Sequence, residues 1–265
     1  MLKFASHLEM NYEKNVAFRD RWITAHQFGF QGCEFVWRVH ESAEVTDLKT
    51  QFPLHINCLG GTTGFSVGGE RPVLTWPEDR ERLAADVEKA VNYAKMVSCD
   101  TIIMVPGNLI PGWNIERHRR EAVASLKQLA PIVEKAGITL VLEPLNSKVD
   151  HKGIYCDSSS EAFRVIEEVG SRNIKILYDV YHMQIMEGNL IETIQNNHHM
   201  IGYYHLAKVP GRFEPIGGEV NFPAILEAIE HTGYKGFVGL EYKPSVEYMK
   251  CLENMKRTYP TFFQG

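Results

Sequence analysis

At 265 residues the chain is long for one domain, yet it suits the roughly 250 residues of a (βα)8 barrel, so its length does not demand two. Hydrophobic residues at 44% and charged residues at 23% exclude a disordered or fibrous chain, and a net charge of -5 argues against a nucleic-acid partner, whose phosphates select a basic surface. The five cysteines, Cys33, Cys58, Cys99, Cys156 and Cys251, are odd in number and lack a CxxC spacing, which speaks for reduced thiols in the cytoplasm.

In chain order, short apolar runs at 4–9, 32–37 and 54–59 predict three strands. The stretch from Gly60 to Pro72 reads as a long loop, and Pro77 then opens a helix over 77–96. A strand over 101–106 precedes a helix over 116–135, which Gly137 stops, and the next strand runs over 139–145. Ser158 or Ser159 caps a helix over 159–169 that ends at Gly170. Strands over 174–180 and 201–207 follow, then a helix over 222–231 with Gly233 beyond it, a strand over 237–242 and a helix over 246–256. The charged N-terminus reads as no signal peptide, and no apolar run approaches the roughly 18 residues of a membrane span. Eight strand-helix units without a GxGxxG after the first strand favour an α/β closed barrel, a (βα)8 TIM barrel occupying 1–265 as a single domain, over an open doubly wound sheet.

Three late strands are apolar until they reach an acid: TLVLE at Glu143, KILYD at Asp179 and VGLE at Glu241. A carboxylate placed directly after a buried strand is costly unless it is paired or binds a cation. The seventh strand supplies His205 at the corresponding place, and the four positions are separated by 36, 26 and 36 residues, one βα unit each. In a barrel all four would project from the C-terminal mouth, where active sites of this fold are built. Three carboxylates and one imidazole suit a single divalent ion, Mg²⁺ or Mn²⁺ ahead of Co²⁺ or Zn²⁺. His182 lies just past Asp179 and either touches substrate or caps the following helix. His7, Glu34, His55 and Asn57 are also read as pointing toward the mouth, with Trp37 and Trp113 as candidate walls.

The motifs LKFASHLEM, GFQGCEF, GGERP, LEPLN, YDVYHMQIMEGN, VPGRFEPIGGEVNF and GYKGFVGLEYKP resemble the hydroxypyruvate isomerases, within the sugar isomerase/epimerase and endonuclease IV-like barrels. The resemblance runs nearly end to end. It implies that Glu143, Asp179 and Glu241 bind metal and that Glu143 and Glu241 are also the acid/base pair. Two positions depart from it: His205 stands where these isomerases usually have Gln and the ketose 3-epimerases have His, and Lys208 stands where they usually have Asp.

The expected reaction is proton transfer through an enediolate, interconverting hydroxypyruvate and tartronate semialdehyde or a related small oxo or hydroxy acid. Arg71 and Arg212 are the candidate cations for a substrate carboxylate, with Lys208 and Asn57 as further candidate contacts. The alternatives are C3 epimerisation of a free ketose and, more remotely, an endonuclease IV-like nuclease with three zinc ions or a non-catalytic sugar-binding barrel. The sequence predicts no nucleic-acid and no membrane partner, and it leaves a homo-oligomer open.

Overall fold

A computed structural model describes residues 2–263. The strands are β1 (Lys3–His7), β2 (Gly32–Val36), β3 (His55–Gly60), β4 (Thr101–Met104), β5 (Thr139–Leu142), β6 (Ile174–Asp179), β7 (Ile201–Leu206) and β8 (Phe237–Leu240). Each pairs in parallel with the next, and β8 returns to β1, so the barrel read from the sequence closes. The helices are α1 (Phe18–Phe28), α2 (Ser42–Gln51), α3 (Arg80–Val97), α4 (Ile115–Ala136), α5 (Ser159–Val169), α6 (Val180–Met186), α7 (Leu190–Asn197), α8 (Phe222–His231) and α9 (Tyr248–Thr258).

Local chemistry explains most boundaries. Ser158 caps α5 by accepting from the Glu161 N–H, and Gly137 and Gly170 end α4 and α5 in the left-handed conformation. Strands β4 and β5 stop earlier than their apolar runs, at Met104 and Leu142, because Pro106 and Pro144 have no N–H for the ladder. Glu143 and Glu241 each sit one residue beyond their strands, and the Glu143 N–H still donates to the Met104 carbonyl at 3.0 Å, which ties it to the rim of the barrel. Helices α1 and α2 carry weak apolar signals, with only Trp22 and Ala25, and Val45 and Leu48, buried. Periodicity had nothing to detect there.

The larger hydrophobic core fills the layer between sheet and helices. A smaller one, Cys58, Val141, Leu177 and Tyr203 with Ile103 and Phe237, lines the barrel interior. His55 starts β3, is exposed, and stacks on Phe237 at 4.9 Å. It therefore lies at the N-terminal rim, which corrects its reading as a mouth residue: the first residue of a barrel strand is at the opposite end.

Candidate metal centre

One ligand atom each from Glu143, Asp179, His205 and Glu241 lies within 4.8 Å of all the others. Strand register does the placing. Asp179 of β6 pairs with His205 of β7, and the tilt of β5 and β8 brings in Glu143 and Glu241. Glu143 Oε1, Asp179 Oδ2 and His205 Nδ1 are buried without a hydrogen-bond partner. Buried polar atoms are rarely left so, and these three belong to one cluster. Hard oxygens with one imidazole nitrogen fit a divalent cation of the Mg²⁺ to Co²⁺ kind.

Asp179 does two things at once. Its Oδ1 accepts from the backbone N–H of Tyr181 at 2.7 Å and of His182 at 3.4 Å, capping α6, while Oδ2 faces the cluster. His182 is consequently inside the helix and not its cap. Its ring is fully buried, and Nδ1 accepts from the Asn146 backbone at 3.2 Å and from the Asn146 side-chain amide at 2.7 Å. The Asn146 orientation is set because its carbonyl accepts from Val149 and Asp150 N–H groups. The His182 proton must then be on Nε2, which points between Asp179 Oδ2 at 3.5 Å and Glu143 Oε1 at 4.0 Å. Burial, reinforced by Arg212, holds this imidazole well below its usual range and therefore neutral. Asn146 is a site residue that the sequence does not single out; its signal is the LEPLN motif, in which only the acid carries evident chemistry.

Of the candidate cations, Arg212 alone reaches the cluster, donating from Nη2 to Glu241 Oε2 at 2.6 Å with its guanidinium over the Tyr181 ring. It does so from a left-handed backbone, φ 55°, uncommon for a side chain this large. Arg71 packs its Cβ and carbonyl against Gly64, and the Lys208 stem runs beside Gly218. Among the described residues neither makes an ion pair with the cluster. Asn57 is buried beneath it, donating to the Tyr203 hydroxyl. His205 Nε2 meets Glu34 Oε2 at 3.1 Å, and His7 Nε2 lies 3.7 Å from Glu241 Oε1. Trp37 bonds Thr62, and Trp113 stacks on Trp76.

The electrostatics show the strain of gathering three acids. Burial, and then the neighbouring Glu241, push the Glu143 carboxyl well above the usual range, and burial raises Asp179 to about 6. Burial would raise Glu241 as well, but Arg212 and His205 outweigh it and hold that carboxylate well below its usual range. For His205 burial acts downward, but Glu34 and Glu241 more than offset it and raise the imidazole well above its usual value.

These directions fix a pH dependence for the metal-free protein. The stability that Asp179, Glu143 and His205 contribute is full at low pH and is lost as pH rises, through about 6 for Asp179. Glu241 works oppositely: its contribution is present above the usual carboxylate range and lost on acidification below it. In chelator, Asp179 should therefore lower the melting temperature as pH rises from the usual carboxylate range through about 6, and the Asp179→Asn variant should flatten that part of the curve, while His182, held low by burial, acts in the opposite direction. Mn²⁺ at a hundred times its Kd should add about 2.7 kcal/mol, or roughly 5–10 °C. A melting curve indifferent to the ion would count against the metal reading.

The family described as xylose isomerase-like TIM barrel matches residues 23–258. Hydroxypyruvate isomerase of Escherichia coli K12 is 32% identical over 245 residues, covering 92% of this chain and 94% of that one. A 2-oxo-tetronate isomerase of Cupriavidus necator is 30% identical over the same shares. The crystal structure of a protein titled AP endonuclease, family 2, from Brucella melitensis superposes with a TM-score of 0.89 at 26% identity, covering 98% of this chain and 99% of that one.

Proposed function

Because the chain belongs to the xylose isomerase-like TIM barrel family and, within it, to the hydroxypyruvate isomerases, we propose that it is a metal-dependent isomerase of a small oxo or hydroxy acid, with hydroxypyruvate and tartronate semialdehyde as the interconverted pair. One observation carries the reading: partnerless ligand atoms of Glu143, Asp179 and His205 converge beside a buried guanidinium, so a single small site offers both a cation seat and an anion seat.

Glu143, Asp179, His205 and Glu241 would hold the ion, which when bound supplies Lewis-acid polarisation of the substrate carbonyl. The chain's own groups do the rest. Arg212 takes the substrate carboxylate in a charge-assisted contact, and the His182 Nε2–H donates to a substrate oxygen. Of Glu143 and Glu241, one removes the C3 proton of hydroxypyruvate and a proton is returned at C2, while the hydroxyl proton passes from O3 to O2. Atoms balance, and no redox partner is needed. Burial of the cluster excludes bulk water from the enediolate and favours short substrates.

His205 favours a second reading, ketose 3-epimerisation, in which the same intermediate is reprotonated on its other face. The described residues assemble one group of candidate ligands, which gives a three-ion nuclease no support. The cysteines are free and buried, in keeping with the cytoplasm, and no described helix is long and apolar enough to cross a membrane.

The test is deuterium exchange in D₂O with Mn²⁺ or Mg²⁺ and a panel of hydroxypyruvate, oxo-tetronates and free ketoses, followed by NMR. Exchange with conversion of the oxo acids is expected. Exchange at C3 of a ketose, with none in hydroxypyruvate, would instead establish the epimerase.

A further inference from the structure

We propose that Glu34 is a positioning residue for the metal centre: it takes the Nε2 proton of His205 and so presents the Nδ1 lone pair to the cation, with Tyr203 and Asn57 holding Glu34 in place. This rests on the metal reading above and adds to it a group that never touches the ion.

The hydrogen bonds in the barrel interior have one consistent direction. Glu34 Oε2 lies 3.1 Å from His205 Nε2 and accepts from the Tyr203 hydroxyl at 2.8 Å. The Asn57 amide in turn donates to that hydroxyl oxygen. A carboxylate accepting at Nε2 fixes a proton there, so the proton that the ring must release to bind a cation comes from Nδ1 and the lone pair is opened on that side. That nitrogen is the one found buried without a partner, 3.3 Å from Glu241 Oε2 and 3.9 Å from Glu143 Oε1. Glu34 and His205 side chains are both 1% exposed, so water does not share the proton.

The barrel makes room for this stack at several points. A Cβ on Gly239 would stand 2.6 Å from His205 Cδ2, 2.7 Å from Glu34 Oε1 and 2.8 Å from the Tyr203 hydroxyl oxygen. A Cβ on Gly32 would stand 2.6 Å from Asn57 Oδ1. The β2–β3 register shifts at Cys33/Glu34, leaving Asn57 as the extra residue, and the β6–β7 register shifts at Ile176/Leu177, leaving Gly202 extra directly before Tyr203. Bulges re-aim side chains, and these two flank the same hydrogen-bonded chain. The stack leaves Glu34 Oε1, Asn57 Oδ1 and His205 Nδ1 buried without a hydrogen-bond partner, and of these the nitrogen is the one set against the carboxylates of Glu241 and Glu143.

Purified metal-free protein is titrated with Mn²⁺ by calorimetry in four forms: wild type, Glu34→Gln, His205→Gln and the double variant. Glutamine at 205 offers an amide oxygen with no tautomer to choose, so it removes the lever through which Glu34 acts. Glu34→Gln is expected to weaken Mn²⁺ binding by about 10- to 100-fold, the range for outer partners of ligating imidazoles. In the His205→Gln background the same change is expected to cost less than about threefold. Wild-type affinity in Glu34→Gln, or an equal loss in both backgrounds, would overturn the proposal. ¹⁵N-histidine NMR of the wild type loaded with Zn²⁺ tests it without any variant: a proton on His205 Nε2 with Nδ1 ligated is expected, and ligation through Nε2 would refute it. A wild type that binds no divalent ion overturns the metal reading itself, and this proposal with it.

Discussion

Glu143→Gln is expected to lower turnover by about 10²–10⁴-fold, the contribution of a positioned general acid or base, while circular dichroism remains that of the wild type. The variant suits the purpose because Gln keeps the volume and an oxygen at the mouth yet can neither take nor release the proton. It also removes a carboxyl whose ionisation burial and the nearby Glu241 oppose in the folded protein. Its metal-free melting temperature should equal or exceed that of the wild type, so any loss of rate cannot be laid to unfolding. Glu241→Gln should lose turnover to a similar degree but melt earlier, since it removes the carboxylate that Arg212 and His205 face. Rates are compared at saturating Mn²⁺. A wild-type rate in either variant would remove that glutamate from the proton-transfer scheme.

Arg212→Ala should raise KM for hydroxypyruvate by roughly 30-fold or more and leave KM for a neutral ketose almost unmoved. The figure follows from the roughly 2–5 kcal/mol lost when one partner of a buried charge-assisted contact is cut away. The same change also frees Glu241, whose carboxylate Arg212 holds low, so kcat should fall for both substrates. The ratio of the two KM values isolates the carboxylate contact from that shared effect. Arg71→Ala and Lys208→Ala, outside the cluster, should leave the ratio unchanged. Equal KM changes for acid and ketose in Arg212→Ala would take the guanidinium out of substrate recognition.

The order of the eight strands and the convergence of Glu143, Asp179, His205 and Glu241 could be read from the chain because each residue stands where an apolar strand meets an acid or imidazole. Regular spacing carries that information in one dimension. The roles of Asn146, Tyr203 and Glu34 could not be assigned in this way, since each acts through a contact between separate elements: Asn146, after β5, meets His182 of α6, and Glu34 of β2 meets Tyr203 of β7, 169 residues away. The loop cations were equal candidates in the sequence for a related reason: Arg71, Lys208 and Arg212 all follow strand ends, and only the backbone path after β7, left-handed at Arg212, turns one of them inward. Asn57 was read as a mouth residue because it lies in β3. The register shift between β2 and β3 instead gives it to the stack below.

Asp179 joins two events that would otherwise be independent. One of its oxygens holds the first turn of α6 through the Tyr181 and His182 amides, and the other looks into the cluster. A cation drawing on the second oxygen would fix the carboxylate plane, and with it the start of the helix that carries the His182 imidazole. Filling the proposed metal seat and setting the angle of His182 would thus be thermodynamically linked, and by reciprocity an occupant that seats well against His182 would tighten the binding of the ion.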